Sequence, residues 1–215
     1  MRVKLSVKLI LLVVFAVMIS AISSMTVSYF SVREGFNRLF SEFLSTNMLV
    51  AQGKIDQYVD SYKSLAVAQS SRPNVINGIG NLDHDLLNHL SKDLVKTGQT
   101  DFIYFVDMNG VVLGNSGANT QRDGRVDSSC ISKALSGNVC TDFVAENGNM
   151  IVLQAASPVF KDSKIIGATL VGMDISKGNA LVDSIKKMLN TEVTIFLGNQ
   201  RISSTIMESG HRVVG

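Results

Sequence analysis

The sequence of 215 residues has no tryptophan, two prolines, two cysteines and three histidines, and its basic residues form no run. Each scarcity removes a class of explanation. With so little proline and a positive mean hydropathy, a long disordered tail is excluded. Without a Lys/Arg run or an aromatic–basic stripe, and with a formal net charge of +2, nothing points to nucleic acid. His84, His89 and His211 have no acid or nucleophile at catalytic spacing. His84 and His89 lie five apart, off the i, i+4 spacing of a helical metal pair, and read as solvent-facing. Gly78-x-Gly80 lacks the strand and further glycines of a phosphate loop, and Ser203-Ser204-Thr205 reads as strand rather than nucleophile. No enzyme activity, metal or cofactor is expected.

Charge is present, but not at the start. Residues 1–8 carry Arg2, Lys4 and Lys8 and no acid, and 9–32 carry no charge at all. About twenty apolar residues cross the hydrocarbon layer as a helix. The basic flank precedes the span and the first acid is Glu34, so the positive-inside rule puts 1–8 in the cytoplasm and everything after the span outside. The rival reading is a cleaved signal peptide ending near Ala21-Ile22-Ser23. The run is long for one and passes without a polar break into a helical pattern, which favours a retained anchor. An inner-membrane, single-pass chain is expected.

Beyond the span, Phe36, Phe40, Phe43, Ile55, Tyr58, Tyr62 and Leu65 recur three and four apart, the stripe of a long helix with room for a second copy in a homodimer. Arg72-Pro73 ends it, and Gly78 and Gly80 predict a loop. A second helix is predicted over 82–96, capped by Asp83 and closed by Gly98. From Thr100 the texture changes to strands at 102–107 and 111–113 about Asn109-Gly110. A polar loop follows over 115–125, then a short helix opened by Asp127-Ser128. Strands at 139–145, 149–158 and 164–174 turn at Asn147-Gly148 and Asp162-Ser163. A helix over 176–189 and strands at 192–197 and 201–206 complete the order, which reads as α+β with one central antiparallel sheet of about five strands and helices on one side. Cys130 and Cys140 match no zinc or redox spacing; outside the membrane they permit a disulfide, the alternative being two separate buried thiols.

The stretches DFIYFVDMNGVVLGNS, SCISKALSGNV and IVLQAASPVFKDSKIIGATLVGMDI together resemble a Cache domain, a PAS-like extracytoplasmic sensor of bacterial receptors. The family's strand ending in Asp, its x-G turn and its second strand correspond to Asp107, Asn109-Gly110 and 111–115. Its later hairpin corresponds to Pro158-Val159, Lys164 and Ile166-Gly167. TIFLGNQRISSTIMESGHRVVG resembles a segment common in methyl-accepting chemotaxis proteins, with Asn199-Gln200 and His211 as departures. The resemblance implies a sensor module over 99–215, preceded by a helical segment over 33–98. It also implies that the chain is the truncated front of a longer receptor with a second span, a HAMP linker and a cytoplasmic coiled coil.

In a PAS-like sheet the pocket lies between one sheet face and a loop-plus-helix cap. That implies a small-molecule ligand, a carboxylate or an amino acid. Arg122 and Arg125 in the cap loop would supply guanidinium forks. Tyr104 would donate a phenol from the first strand, and Asn115 and Ser116 leave the second strand at the pocket edge. Gln154 and Ser157 lie three apart and so on opposite faces, so that at most one reaches a pocket. Thr169 is polar among apolar neighbours and shares its face with Val171. The lack of Trp removes the Trp-containing amino-acid signature of some double Cache receptors and favours small carboxylates. The alternatives are the same sensor front on a histidine kinase or cyclic-dinucleotide enzyme, and an envelope structural or interaction protein without a ligand.

Overall fold

The computed structural model describes residues 5–117, 124–126, 128–146 and 150–215. Arg122, Asp127, Asn147 and Gly148 lie outside the described residues. The chain divides into two compact units, Met1–Leu49 and Val50–Gly215.

The first unit belongs to helix α1, Leu5–Ser70. It carries exposed apolar side chains throughout, from Leu12 and Phe15 to Phe43 and Leu49. Its N-terminal part is long and apolar enough to cross a membrane.

The second unit begins with the remainder of α1. Helix α2, Pro73–Gly80, starts at the proline itself: Arg72 is extended (ψ 132°), and Pro73 occupies the first turn, where no backbone donor is required. This corrects the loop expected at Gly78 and Gly80. Gly78 serves packing rather than a turn, since a Cβ there would lie 2.7 Å from Leu87 Cδ2. Helix α3, His84–Lys96, is capped by Asp83, whose carboxylate accepts from Leu86 N at 3.0 Å.

Five strands form the central sheet: β1, Phe102–Asp107; β2, Val112–Ser116; β3, Cys140–Glu146; β4, Met150–Lys161; β5, Lys164–Asp174. Their order is β2-β1-β5-β4-β3, all antiparallel. Asp107 organises the β1–β2 turn by accepting from Asn109 N and Val111 N, both at 2.8 Å, while Gly110 takes φ +75°. Asp162 and Ser163 both hold positive φ in the tight β4–β5 turn.

Both faces of the central strands are covered, so their sequences are nearly continuous apolar runs. Ile103, Phe105, Ala155, Val159 and Val171 pack against the end of α1, α2 and α3. Phe102, Tyr104, Val106, Val152, Ala156 and Leu170 face the other way, toward α4, Ser129–Leu135. A disulfide joins Cys130 in α4 to Cys140 at the start of β3. Closing such a short loop typically contributes about 2–4 kcal/mol.

On the α1 side a polar seam interrupts the core. Ser70 Oγ and Ser157 Oγ are 2.8 Å apart and buried, and Ser157 stands opposite Thr169 across the β4–β5 ladder. Among the described residues, Gln69 Oε1 and Thr169 Oγ1 are buried without a hydrogen-bond partner.

Helix α5, Ala180–Leu189, opens a third cluster. Its Leu181 and Ile185 join Leu153, Ile175, Val193 and Ile195, with Ile55, Tyr58 and Val59 of α1 alongside. The last strands stand apart from the central sheet: β6, Thr194–Leu197, with β7, Gln200–Ser204, and β8, Met207–Glu208, with β9, His211–Arg212. Arg212 pairs with Asp183 of α5 at 2.9 Å and donates to Ser204 O of β7 at 2.8 Å.

Helix α3 crosses β2 directly over Gly114, where an added Cβ would meet Leu87 Cβ at 2.5 Å and Asn88 N at 2.9 Å. Gly114→Ala is expected to destabilise the fold by about 1–3 kcal/mol in chemical denaturation. Gly53→Ala on α1 has nothing within 4 Å of the new methyl. It should stabilise by about 0.5–1 kcal/mol through helix propensity and chain entropy.

Candidate ligand cleft

The sheet face turned toward α4 ends in a cleft of about 320 Å³, lined by Asp101, Phe102, Met150, Val152, Asp174, Lys177 and Gly178. Strand pairing builds it. Phe102 stands opposite Gly172, and Val152 opposite Asp174, so the start of β1, the start of β4 and the end of β5 meet at one corner. Gly172 provides the floor: a Cβ there would lie 2.0 Å from Phe102 Cζ, so only glycine lets the phenyl ring lie on the sheet.

Asp101 and Asp174 are held by the backbone. Asp101 Oδ2 accepts from Asp174 N at 2.8 Å. Asp174 is 5% exposed, and its Oδ1 accepts from Ser176 N at 3.0 Å and from Ser176 Oγ, closing the turn toward α5. Lys177 Nζ stands 3.2 Å from Asp174 Oδ2, an ion-pair contact without hydrogen-bond alignment. Lys177 is itself largely exposed, so this contact is weak.

The adjoining part of the same face is polar. Gln154 is buried and accepts from Ser128 Oγ at 2.9 Å through Oε1, with Nε2 donating toward Glu146 at 3.4 Å. Tyr104 is buried on the same face, one strand removed across β5, its ring edge-on to Phe102 with centroids 5.9 Å apart. Burial, and then the charge of Glu146, push the Tyr104 phenol up to about 12. Tyr62 of α1 is likewise pushed up to about 12, first by burial and then by Asp101 and Tyr58.

The structure divides the residues expected from the sequence. Tyr104, Gln154 and Asn115 share the α4-facing side, since Asn115 is the ladder partner of Tyr104. Ser157 and Thr169 do not; they lie on the α1 side with Phe105 and Val171, because strand alternation places them there. Ser116 pairs with Ile103 and so also belongs to that side. Arg125 is exposed and donates to Asn109 O at 2.6 Å, bracing the β1–β2 turn rather than the cleft. Arg122 lies outside the described residues. Sequence reasoning missed Asp101, Asp174 and Lys177. The available signal was a lone acid closing the apolar run GATLVGMD, paired in space with the acid that opens β1. Among the described residues no group of three or more His, Cys, Asp or Glu side chains is placed to hold a metal ion.

The profile of the family described as Single cache domain 3 matches residues 173–215. No curated protein matches the sequence. Solved structures do. The periplasmic domain of Vibrio cholerae LuxQ superposes with a TM-score of 0.59 at 15% identity, over 75% of this chain and 78% of that one. The sensor domain of the V. cholerae histidine kinase DctB gives 0.55 at 15% identity, over 75% of this chain and 65% of that one. The ligand-binding domain of the Campylobacter jejuni chemoreceptor Tlp3, solved in complex with L-norvaline, gives 0.54 at 16% identity, over 77% and 70%. The chain shares the fold of these domains, a five-stranded antiparallel sheet with helices on both faces. The neighbours come from chemoreceptors and histidine kinases alike, so this fold is common to both kinds of receptor.

The two raised phenols give a spectroscopic test of this geometry. A neutral buried tyrosine contributes stability that is fully present below the unfolded value of 10 and is lost as pH rises toward 12. Of the four tyrosines, Tyr62 and Tyr104 are expected to form phenolate only near pH 12. Tyr62→Phe and Tyr104→Phe should each remove part of that late absorbance step and widen the alkaline stability range.

Proposed function

We propose that this chain is the extracytoplasmic sensing portion of a methyl-accepting chemotaxis receptor and that its Cache module binds a small amine-bearing molecule, with amino acids the leading class. The observation that carries the reading is the cleft itself: two fixed carboxylates, Asp101 and Asp174, beside the apolar surfaces of Phe102, Met150 and Val152. Its volume of about 320 Å³ is at the small end for ligand pockets, the size of an amino acid rather than a cofactor. Acidic lining favours a ligand with an ammonium group over the plain carboxylate that the absence of Trp suggested. The ligand's other polar groups would extend toward Gln154 and Tyr104. Tlp3, solved with L-norvaline, supports the ligand class, and the TIFLG stretch within the matched 173–215 segment supports the chemoreceptor over a kinase front end.

The anchor and the long helix complete the reading. The apolar N-terminal part of α1 would hold the chain in the membrane, and the exposed Phe36, Leu39, Phe40 and Phe43 would meet a second copy in a homodimer. Phe40→Glu combined with Phe43→Glu is expected to abolish dimer crosslinking of the membrane-embedded chain while leaving the melting of the second unit unchanged.

Ligand binding is tested by thermal melting of the full chain in lipid nanodiscs against amino acids, amines and carboxylates. A ligand that binds only the folded state adds about 2.7 kcal/mol at a hundredfold excess over its dissociation constant. Amino acids are expected to raise the melting temperature and simple carboxylates to leave it unchanged. Gly172→Ala, which drives the Phe102 ring off its floor into the cleft, should weaken binding by about tenfold or more. A carboxylate-only response would overturn the assignment of the ligand class.

A further inference from the structure

The Asp174 carboxylate is divided in its duties. Its side chain is 6% exposed. Oδ1 is consumed by the turn into α5, accepting from Ser176 N, Ser176 Oγ and, at 3.3 Å, Lys177 N. Oδ2 is buried and, among the described residues, accepts no hydrogen bond. A buried carboxylate oxygen left in that condition is costly, because it has surrendered water without replacement. The group that faces it is an ammonium, Lys177 Nζ, at 3.2 Å.

Lys177 is poorly suited to hold that place. Its side chain is 65% exposed, on a flexible stem, and its contact with Oδ2 lacks hydrogen-bond alignment. Both residues line the same cleft. A ligand's primary ammonium is the same chemical group, but it would arrive from inside the cleft, shielded from water and free to turn its N–H toward Oδ2.

We propose that Lys177 is a resident competitor for the ligand's ammonium position: it pairs with Asp174 in the empty cleft and is displaced when an amine binds. This rests on the amine-sensor reading above and names the residue that sets its affinity. The displacement has a direct structural consequence. Lys177 sits in the turn closed by Gly178 N donating to Asp174 O at 3.2 Å, immediately before α5. Leu181 and Ile185 of α5 pack in one cluster with Ile55 and Tyr58 of α1. Exchange of one ammonium for another therefore occurs at the turn that joins the cleft to α5.

The test compares wild type with Lys177→Met, full chains in nanodiscs, using propylamine, L-norvaline and propionate as probes in calorimetric titrations. Removing an exposed competing ion pair is expected to tighten both amines by about two- to fivefold. Melting of the ligand-free proteins checks that the exposed substitution leaves the fold intact. Amine binding to the variant alone supports the proposal in its strongest form. Binding to wild type with no gain in the variant overturns the competitor role and leaves the amine-sensor reading standing. Weaker norvaline binding with unchanged propylamine also overturns it, since Lys177 would then be reading the ligand's carboxylate. No amine binding to either protein overturns the sensor reading and the competitor role together.

Discussion

Strand β1 must bury both of its faces at once. Phe105 and Ile103 are fully enclosed on the α1 side, and Tyr104 and Val106 on the α4 side, so every backbone polar group of the strand has to find its partner within the sheet. Pairing with β5 on one side and β2 on the other meets that demand. The remaining architecture follows from it. Two covers are needed, one helical layer of α1, α2 and α3, and one of α4 with Val126. Glycines are needed wherever a cover comes too close, at Gly114 under α3 and at Gly172 under Phe102. Burying a side chain such as Phe105 contributes about 1.5–3 kcal/mol, which offsets the entropy lost in ordering the strand.

The same pairing makes the cleft. Antiparallel strands bring a beginning beside an end, and here the acid that precedes β1 meets the acid that ends β5. Neither belongs to a recognisable motif. Their proximity is a property of the ladder, and each is fixed by backbone hydrogen bonds rather than by the other's charge. The result is a negative corner in an otherwise apolar floor, supported from behind by Tyr62, whose raised phenol feels Asp101 from the α1 side.

Much of this architecture was readable from residue order. Strand formers bounded by Asn109-Gly110 and Asp162-Ser163 placed the hairpins, Asp83 placed a helix start, and the charge-free stretch 9–32 placed a candidate span. What escaped depended on contacts between distant residues. Gly78 looked like a loop residue because its reason for being glycine, Leu87, lies on another helix. Thr169 and Ser157 looked like pocket residues because polarity within an apolar run signals a partner but not which face it is on. Alternation put Gln154 and Ser157 on opposite faces without saying which one faces the cleft, whereas Asp174 required knowing that β5 lies beside β1 and Lys177 that the chain turns sharply after Asp174.

The seam of Ser70, Ser157, Gln69 and Thr169 has a mechanical meaning. Apolar surfaces slide over one another with little change in energy, because one methyl contact substitutes for the next. Hydroxyls do not. Ser70 meets Ser157 in a single setting of the helix against the sheet; Ser70 Oγ donates to Val67 O of its own helix, so it is the Ser157 hydroxyl that a shift of one turn, about 5.4 Å, would part from its acceptor in a dry interior. The end of α1 is thus seated like a detent: the buried hydroxyl pair resists gradual drift of the helix along the sheet.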